Sequence, residues 1–251
     1  STWSKVTQHI TGDVGPRVSA GSKQMVWDVL QARESLVGNA IVFKVKVGSE
    51  NKEIKSVKIG NQVWMAENLN VAHYRNGDPI PTGLSNTTWQ STTSGAYAIY
   101  NNDPANDVTY GKLYNWYTTV DSRGLCPTGW HVPTDCEWMY LENSLGMAVA
   151  DQTLVSTWVR GTNQGGSLKT TNLWDAPNLD ASNNTGFSAL PGGYKWTNGS
   201  SQFLNSLGYW WSSSANDATT SWYRVLGANY GTINRISGNK KAGFSVRCVK
   251  D

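Results

Sequence analysis

Three cysteines, Cys126, Cys136 and Cys248, are the residues of this 251-residue chain whose spacing bears most directly on chemistry. The sequence contains neither a Cys-x-x-Cys pair nor a His/Cys cluster with metal-ligand spacing, so we expect no metal site and no cofactor. Only one disulfide can form, and we favour Cys126 with Cys248. That bond would stabilise the fold by about 3–5 kcal/mol and would require an oxidising compartment. The alternative is three reduced, buried thiols.

His131 is the other side chain that could act as a base or a ligand. It lies in the turn sequence GWHVP, without a constellation of Cys, Asp or Ser beside it. A lone histidine of this kind is more often a buried, hydrogen-bonded group than a catalytic one. We therefore expect no catalytic residues and no enzymatic activity.

The last forty residues are more typical of a recognition surface than of an active site. Rigid positions alternate there with small, polar and aromatic ones, as the period of a β-strand requires. One predicted strand face is formed by Trp222, Arg224 and Leu226, and the other by Tyr223, Val225 and Gly227. Because one face can build the fold while the other varies, ligand binding is the better hypothesis.

The predicted ligand contacts come from the outward positions of this segment, where tyrosines supply rigid contact area and short polar side chains supply adaptable hydrogen bonds. Trp222, Arg224 and Leu226 are expected to point inward. We expect one contiguous solvent-facing patch to be formed by the side chains of Tyr223, Val225, Asn229, Tyr230, Thr232, Asn234 and Ile236. The full predicted site is Tyr223, Val225, Gly227, Ala228, Asn229, Tyr230, Thr232, Asn234, Ile236 and Ser237.

Composition restricts the possible partners. The chain has 13 Trp and 11 Tyr but 4 Phe, a balance that suits positions that are apolar at one end and wet at the other. A net charge of +3 with dispersed Lys and Arg does not indicate nucleic-acid binding. No apolar run is long enough for a membrane helix. We expect a protein or glycan partner on another cell or surface.

The predicted elements divide the chain into two parts. Residues 1–50 contain strand-like runs at 25–30 and 40–47, and resemble the C-terminal half of an immunoglobulin-like sandwich repeat. Residues 52–251 are predicted to form an α+β domain with few helices and short twisted sheets. The clearest helix runs from Thr134 to Leu145, because Thr134 and Glu137 form a capping box and Gly146 can stop it. A second helix is expected around 148–156.

Five ordered blocks in residues 52–251 resemble the Fibrobacter succinogenes major paralogous domain. They are residues 57–70, 110–116, the CPTGWHVPTDCEW stretch at 126–138, GFSALPGGY at 186–194, and the terminal WWSS and GFSVRCVKD. The resemblance implies a C-type-lectin-like fold in secreted or surface proteins of Bacteroidetes-type bacteria. Cys136 departs from the family pattern, where alanine is more common, and so is expected to stay unpaired.

Two further implications of the resemblance concern chemistry. Glu67 and Asn68 could suggest calcium, but the Glu-Pro-Asn and Trp-Asn-Asp motifs of calcium-dependent lectins are absent. The fold is also distantly similar to that of formylglycine-generating oxidases, which need two reactive, copper-binding cysteines. If Cys126 and Cys248 are paired, a single thiol remains, so an oxidase is the least favoured hypothesis.

The tail also resembles the variable regions that diversity-generating retroelements rewrite at adenine-containing codons. Mutated AAY codons cannot encode Lys, Gln, Glu, Met or Trp, and every predicted contact passes this test. The leading hypothesis is therefore a secreted or surface-anchored binding or adhesion protein with a variable C-terminal face. A non-diversified carbohydrate-binding protein and an architectural surface or pilus subunit remain as alternatives. The sequence does not choose between a protein and a glycan ligand.

Overall fold

The computed structural model describes residues 10–12, 25–27, 54–155 and 158–251. The chain divides into two compact units, Ser1–Ile54 and Lys55–Asp251. In the first unit, strand β1 (Ile10–Gly12) pairs antiparallel with β2 (Met25–Trp27). The strand predicted at 40–47 and the immunoglobulin-like resemblance of residues 1–50 fall largely outside the described residues.

Short helices connect the strands of the second unit. The best defined is the one that the capping box predicts: Thr134 Oγ1 accepts from Glu137 N, and the Glu137 carboxylate accepts from Thr134 N at 2.7 Å. The helix expected around 148–156 is a single turn. The helices are α1 (Asn86–Ser91), α2 (Pro104–Tyr110), α3 (Trp116–Thr119), α4 (Asp135–Ser144), α5 (Val149–Gln152) and α6 (Gln164–Leu168).

Two sheets complete the second unit. A four-stranded sheet has the order β3-β4-β14-β7, with strands β3 (Ser56–Ile59), β4 (Gln62–Met65), β7 (Trp130–His131) and β14 (Val249–Lys250). The larger, eight-stranded sheet contains β5 (Tyr97–Ala98), β6 (Leu113–Asn115), β8 (Gly192–Lys195), β9 (Ser201–Leu204), β10 (Leu207–Ala215), β11 (Thr220–Gly227), β12 (Asn234–Asn239) and β13 (Gly243–Phe244). Its order is β12-β11-β10-β8-β13-β6-β5, with β9 paired to β8. The α+β prediction is confirmed.

Large aromatic side chains fill the core between helix α4 and the sheets. Trp64 and Trp138 lie with ring centroids 4.8 Å apart, and Phe187 packs against both. Trp210 and Leu226 reach the same cluster from the large sheet. Since each indole removes a large apolar area from water, a few of them stabilise a domain built from short elements.

The predicted disulfide joins Cys126 to Cys248 and is confirmed. Both cysteines are buried, and Cys136 is free and exposed. The bond links the loop before β7 to the residue that precedes β14, while the Cys248 carbonyl also accepts from Met65 N at 3.0 Å. A covalent bond and a backbone hydrogen bond at Cys248 therefore both hold the final strand, β14, in place.

Candidate ligand-binding face

The inward face of β11 packs on helix α4, as the alternation predicts. Arg224 and Leu226 are both buried, and Leu226 belongs to the aromatic core. The Arg224 guanidinium donates to Asp135 Oδ1 at 2.7 Å and to Glu142 Oε1 at 2.5 Å. Trp222, which was also expected to point inward, is half-buried, with the Arg235 guanidinium 3.5 Å from its ring centroid.

Ion pairs extend this contact into a buried network. Arg235 Nη2 donates to Asp135 Oδ2 at 2.6 Å, and Arg160 donates to the Glu142 carboxylate. Burial alone would raise the pKa of Asp135, but the hydrogen bond from Arg235 and the charge of Arg224 outweigh it and lower that pKa. The network attaches β11 and β12 to α4, because a buried charge is stable only with its partners in place.

The predicted exposure of the outward side chains is wrong for two residues of β11 and one of β12. Tyr223 is 9% exposed and Val225 is 2% exposed, and Asn234, which pairs with Val225 in the adjacent strand, is also buried. These side chains do leave the sheet on the side opposite helix α4. However, neighbouring rings cover them: Tyr223 lies 4.7 Å from Phe244 and 5.7 Å from Trp211 between ring centroids.

The rest of the predicted site divides between buried and accessible positions. Gly227 and Ala228 are buried at the end of β11. Thr232, Ile236 and Ser237 are half-buried. Asn229 and Tyr230 are exposed in the turn that follows. The structure therefore does not form one solvent-facing patch from the predicted residues but leaves a smaller accessible group around Tyr230.

Tyr230 forms a parallel aromatic stack with Trp158, a residue that the sequence analysis did not select. The ring centroids are 4.0 Å apart and the interplanar angle is 8°. Tyr230 is 37% exposed, and the neighbouring Val159 is also exposed. Thr232 Oγ1 donates to the Trp158 carbonyl at 2.8 Å, which joins the two segments. We call Trp158, Val159, Asn229, Tyr230 and Thr232 the Tyr230 surface.

A buried lysine fixes the loop beneath the Tyr230 surface. Lys169 Nζ donates to the carbonyl oxygens of Leu179, Gly227 and Tyr230, each at 2.9 Å. Desolvation lowers the pKa of Lys169 to about 8. Nothing in the local sequence around Lys169 marks it for this role, since its three acceptors come from other segments.

Close backbone packing fixes the same loop from helix α6. Gly166 N donates to the Gly231 carbonyl at 2.8 Å. A Cβ atom on Gly165 would collide with the carbonyl oxygen of Thr232, so only glycine allows this approach. The Tyr230 surface is therefore held on a rigid support before any ligand binds.

His131, the candidate base or ligand, forms hydrogen bonds with two carboxylates. His131 Nδ1 lies 2.7 Å from Asp251 Oδ1, and Nε2 lies 2.7 Å from Glu137 Oε1. Burial favours the neutral imidazole, but hydrogen bonds with Asp251 and Glu137 outweigh it and raise the pKa of His131. The ring thus connects β7 to the first turn of α4. Its hydrogen bonds are satisfied, as expected, but its side chain is half-buried rather than buried.

Glu67 and Asn68, the residues considered for calcium, both have partners within the protein. Lys55 Nζ lies 2.6 Å from Glu67 Oε1. Asn68 Oδ1 accepts from Trp210 Nε1 at 2.9 Å and from Arg247 Nη2 at 2.8 Å, so its oxygen is occupied inside the protein. Within residues 54–155 and 158–251, no group of three His, Cys, Asp or Glu side chains is placed to hold a metal ion.

The second unit is thus an α+β domain with an aromatic core, a buried ion network and a small accessible aromatic surface. Residues 57–250 match the Fibrobacter succinogenes major domain, and the chain belongs to that family. A comparison with curated proteins found no match. In the described part of the chain, no helix is long and apolar enough to cross a membrane.

Proposed function

We propose that this protein is a non-catalytic binding module, secreted or displayed on a cell surface, that contacts a protein ligand through the Tyr230 surface. The observation that carries the proposal is the stack of Trp158 on an exposed Tyr230, supported from below by Lys169. Tyrosine and tryptophan are the residues that most often carry binding energy at protein interfaces.

The chemistry of the Tyr230 surface favours a protein over a charged polymer. Val159 adds exposed apolar area, while Asn229 and Thr232 provide polar groups at its edge. None of these side chains carries a charge. An apolar centre with a polar rim, which here includes the exposed Asp180 carboxylate beside Gly231, is typical of protein interfaces, whereas nucleic acids require clustered Lys and Arg.

Preorganisation supports the same proposal. A ligand that binds a rigid surface does not have to offset the entropy of ordering loops. The Lys169 contacts and the Gly166–Gly231 hydrogen bond hold the Tyr230 surface in its observed shape. A secreted or surface location agrees with the Cys126–Cys248 disulfide, since such bonds persist in oxidising compartments.

The proposal includes diversification of the C-terminal segment by a retroelement, and we restrict this diversification to accessible positions. Burial of Tyr223, Val225 and Asn234 means that many substitutions there would disturb packing, so a freely variable face cannot include them. The remaining candidates are Asn229, Tyr230, Thr232, Ile236 and Ser237.

The diversification proposal has a direct test in the genome. It requires a reverse-transcriptase gene and an adenine-rich repeat of the tail near the coding sequence. Sequencing the tail in many isolates should find substitutions at the accessible positions and constancy at Tyr223 and Val225. A uniform tail without a template repeat would leave a non-diversified binding module.

Binding through the Tyr230 surface can be tested with beads coated with the full chain. The beads are presented to arrays of purified extracellular-matrix and bacterial surface proteins. Tyr230→Ala should lower the affinity for a captured protein by about 30-fold, the effect of a hot-spot residue. Tyr140→Ala is the matched control, because Tyr140 has a similar exposure of 42% on helix α4. Equal binding by the wild type and Tyr230→Ala would refute this surface as the site.

A further inference from the structure

The hairpin formed by β8 and β9 carries a second group of exposed aromatic side chains. Trp196 is 39% exposed and Phe203 is 47% exposed, while Tyr194 between them is half-buried. The ring centroid of Tyr194 lies 5.4 Å from that of Trp196 and 5.7 Å from that of Phe203. We call these three side chains the hairpin platform.

The backbone at Phe203 adopts an unusual conformation that brings its ring to the platform. Tyr194 pairs with Gln202 across the hairpin, so strand alternation would send the next side chain, Phe203, to the opposite face. Instead, Phe203 has φ of 63°, in the left-handed region that bulky residues rarely adopt. An exposed ring in this conformation contributes little to a core, and strained residues of this kind cluster at functional sites.

The platform is rigid. Tyr194 packs edge-on against Tyr209, with ring centroids 4.9 Å apart and an interplanar angle of 88°. Trp196 N donates to the Ser200 carbonyl at 2.7 Å, which closes the hairpin. Lys195, on the other side of the strand, donates to the Gly199 carbonyl at 2.7 Å and is buried. The exposed rings therefore project from a fixed hairpin rather than from a free loop.

Neutral polar groups surround the platform. Tyr194 Oη donates to Gln202 Oε1 at 2.9 Å, and Ser200 Oγ donates to Asn198 Oδ1 at 2.8 Å. Gln202 and Asn198 are both exposed. Lys195 is the one ionisable charged residue in the sequence of residues 192–204, and its ammonium group is directed into the hairpin. The accessible side of the hairpin is thus aromatic and amide-rich but carries no charge.

We propose that the hairpin platform binds an uncharged oligosaccharide. A pyranose ring has an apolar face of C–H groups and a rim of hydroxyls, and the C–H groups are attracted to the electron-rich face of an indole or phenol ring. Its hydroxyls match the amides of Gln202 and Asn198. The neutral surface complements a neutral glycan, whereas anionic membranes and nucleic acids attract clustered basic side chains. This site uses different residues from the Tyr230 surface and does not depend on that proposal.

Affinity gel electrophoresis of the full chain tests the proposal with soluble hydroxyethylcellulose, arabinoxylan and galactomannan as neutral probes and polygalacturonate as an anionic probe. We expect at least one neutral polymer to retard the protein, at low and at high salt alike. Trp196→Ala should weaken that retardation at least ten-fold, and Trp196→Phe should retain most of it. Tyr140→Ala and Tyr230→Ala should migrate like the wild type.

Three outcomes would overturn the proposal: no retardation by any of the three neutral polymers, retardation by polygalacturonate alone, or unchanged retardation of Trp196→Ala. Thermal unfolding of each variant shows whether it is folded. If Trp196→Ala does not fold, Gln202→Ala provides a second measurement, since it keeps all three rings and removes the amide. Normal retardation of Gln202→Ala would then count against the site.

Discussion

We expect Asp135→Asn to lower the free energy of unfolding by about 3–5 kcal/mol at neutral pH. The Asp135 carboxylate accepts from Arg224 at 2.7 Å and from Arg235 at 2.6 Å, and all three side chains are buried. Asparagine has nearly the same shape but no charge, so both guanidinium groups would remain buried with Glu142 as the nearby carboxylate. Removing one partner from a buried ion pair costs about 3–5 kcal/mol, since the other charge keeps its desolvation penalty.

Urea unfolding with linear extrapolation measures the change. The matched control is Asp78→Asn, because Asp78 is exposed and lies 3.4 Å from Arg123. An exposed pair of this kind contributes about 0–1 kcal/mol. Adding Arg235→Met to Asp135→Asn removes one unpaired charge and should recover part of the loss. If Asp135→Asn is no less stable than Asp78→Asn, the network is not held by opposite charge and the reasoning fails.

The pH dependence provides an independent measurement of the same network. Burial would raise the pKa of Asp135, but Arg235 and Arg224 outweigh it and hold that pKa below its usual value of 3.8. A carboxyl group with a lowered folded pKa contributes stability that is present above the unfolded pKa and is lost as the pH falls through the folded pKa. The stability difference between the wild type and Asp135→Asn should therefore be constant above about pH 5 and should narrow below pH 3.8.

Three further predictions concern other parts of the fold. Replacing Cys126 and Cys248 by serine should lower the free energy of urea unfolding by about 5 kcal/mol, as the loop-entropy model gives for a sequence separation of 122. Cys136→Ser should change the same free energy by less than about 0.5 kcal/mol. The carboxylates raise the pKa of His131, so its stabilising effect is present below the unfolded pKa and is lost as the pH rises through the folded pKa. His131→Gln should therefore lower the free energy of unfolding more at about pH 5.5 than at about pH 8.5. An equal loss at both pH values would contradict the ion-pair account. Phe203→Gly removes a left-handed backbone strain of about 1–2 kcal/mol. The free energy of unfolding of this variant should therefore be less than about 1 kcal/mol below that of the wild type. A loss of about 3 kcal/mol or more in urea unfolding would place Phe203 in the core instead.

The sequence alone determined the features that depend on local chemistry. Helix α4 starts directly after its N-cap, Thr134, and ends two residues before Gly146, because residues within one turn set each terminus. The inward direction of Arg224 and Leu226 follows from strand alternation alone. Three cysteines can form only one disulfide, and the bond formed is the favoured one, between Cys126 and Cys248. The family resemblance also rested on ordered blocks that can be read without coordinates.

The sequence did not predict most of the short helices. Helices α1, α2 and α6 are five to seven residues long, and none has a clear amphipathic repeat over two or more turns. Most helical stability comes from tertiary packing rather than from intrinsic propensity. Trp89, for example, is buried on α1 by contacts that its neighbours in sequence do not specify.

The tertiary structure alone decided which side chains a ligand could reach. Tyr223 points away from α4, as its position in the strand requires, but Phe244 and Trp211 cover it from strands β13 and β10. Tyr230 stays exposed although Trp158 stacks on its ring. Alternation along a strand fixes the direction of a side chain, whereas its exposure depends on neighbours that are distant in sequence and are brought together only by the fold.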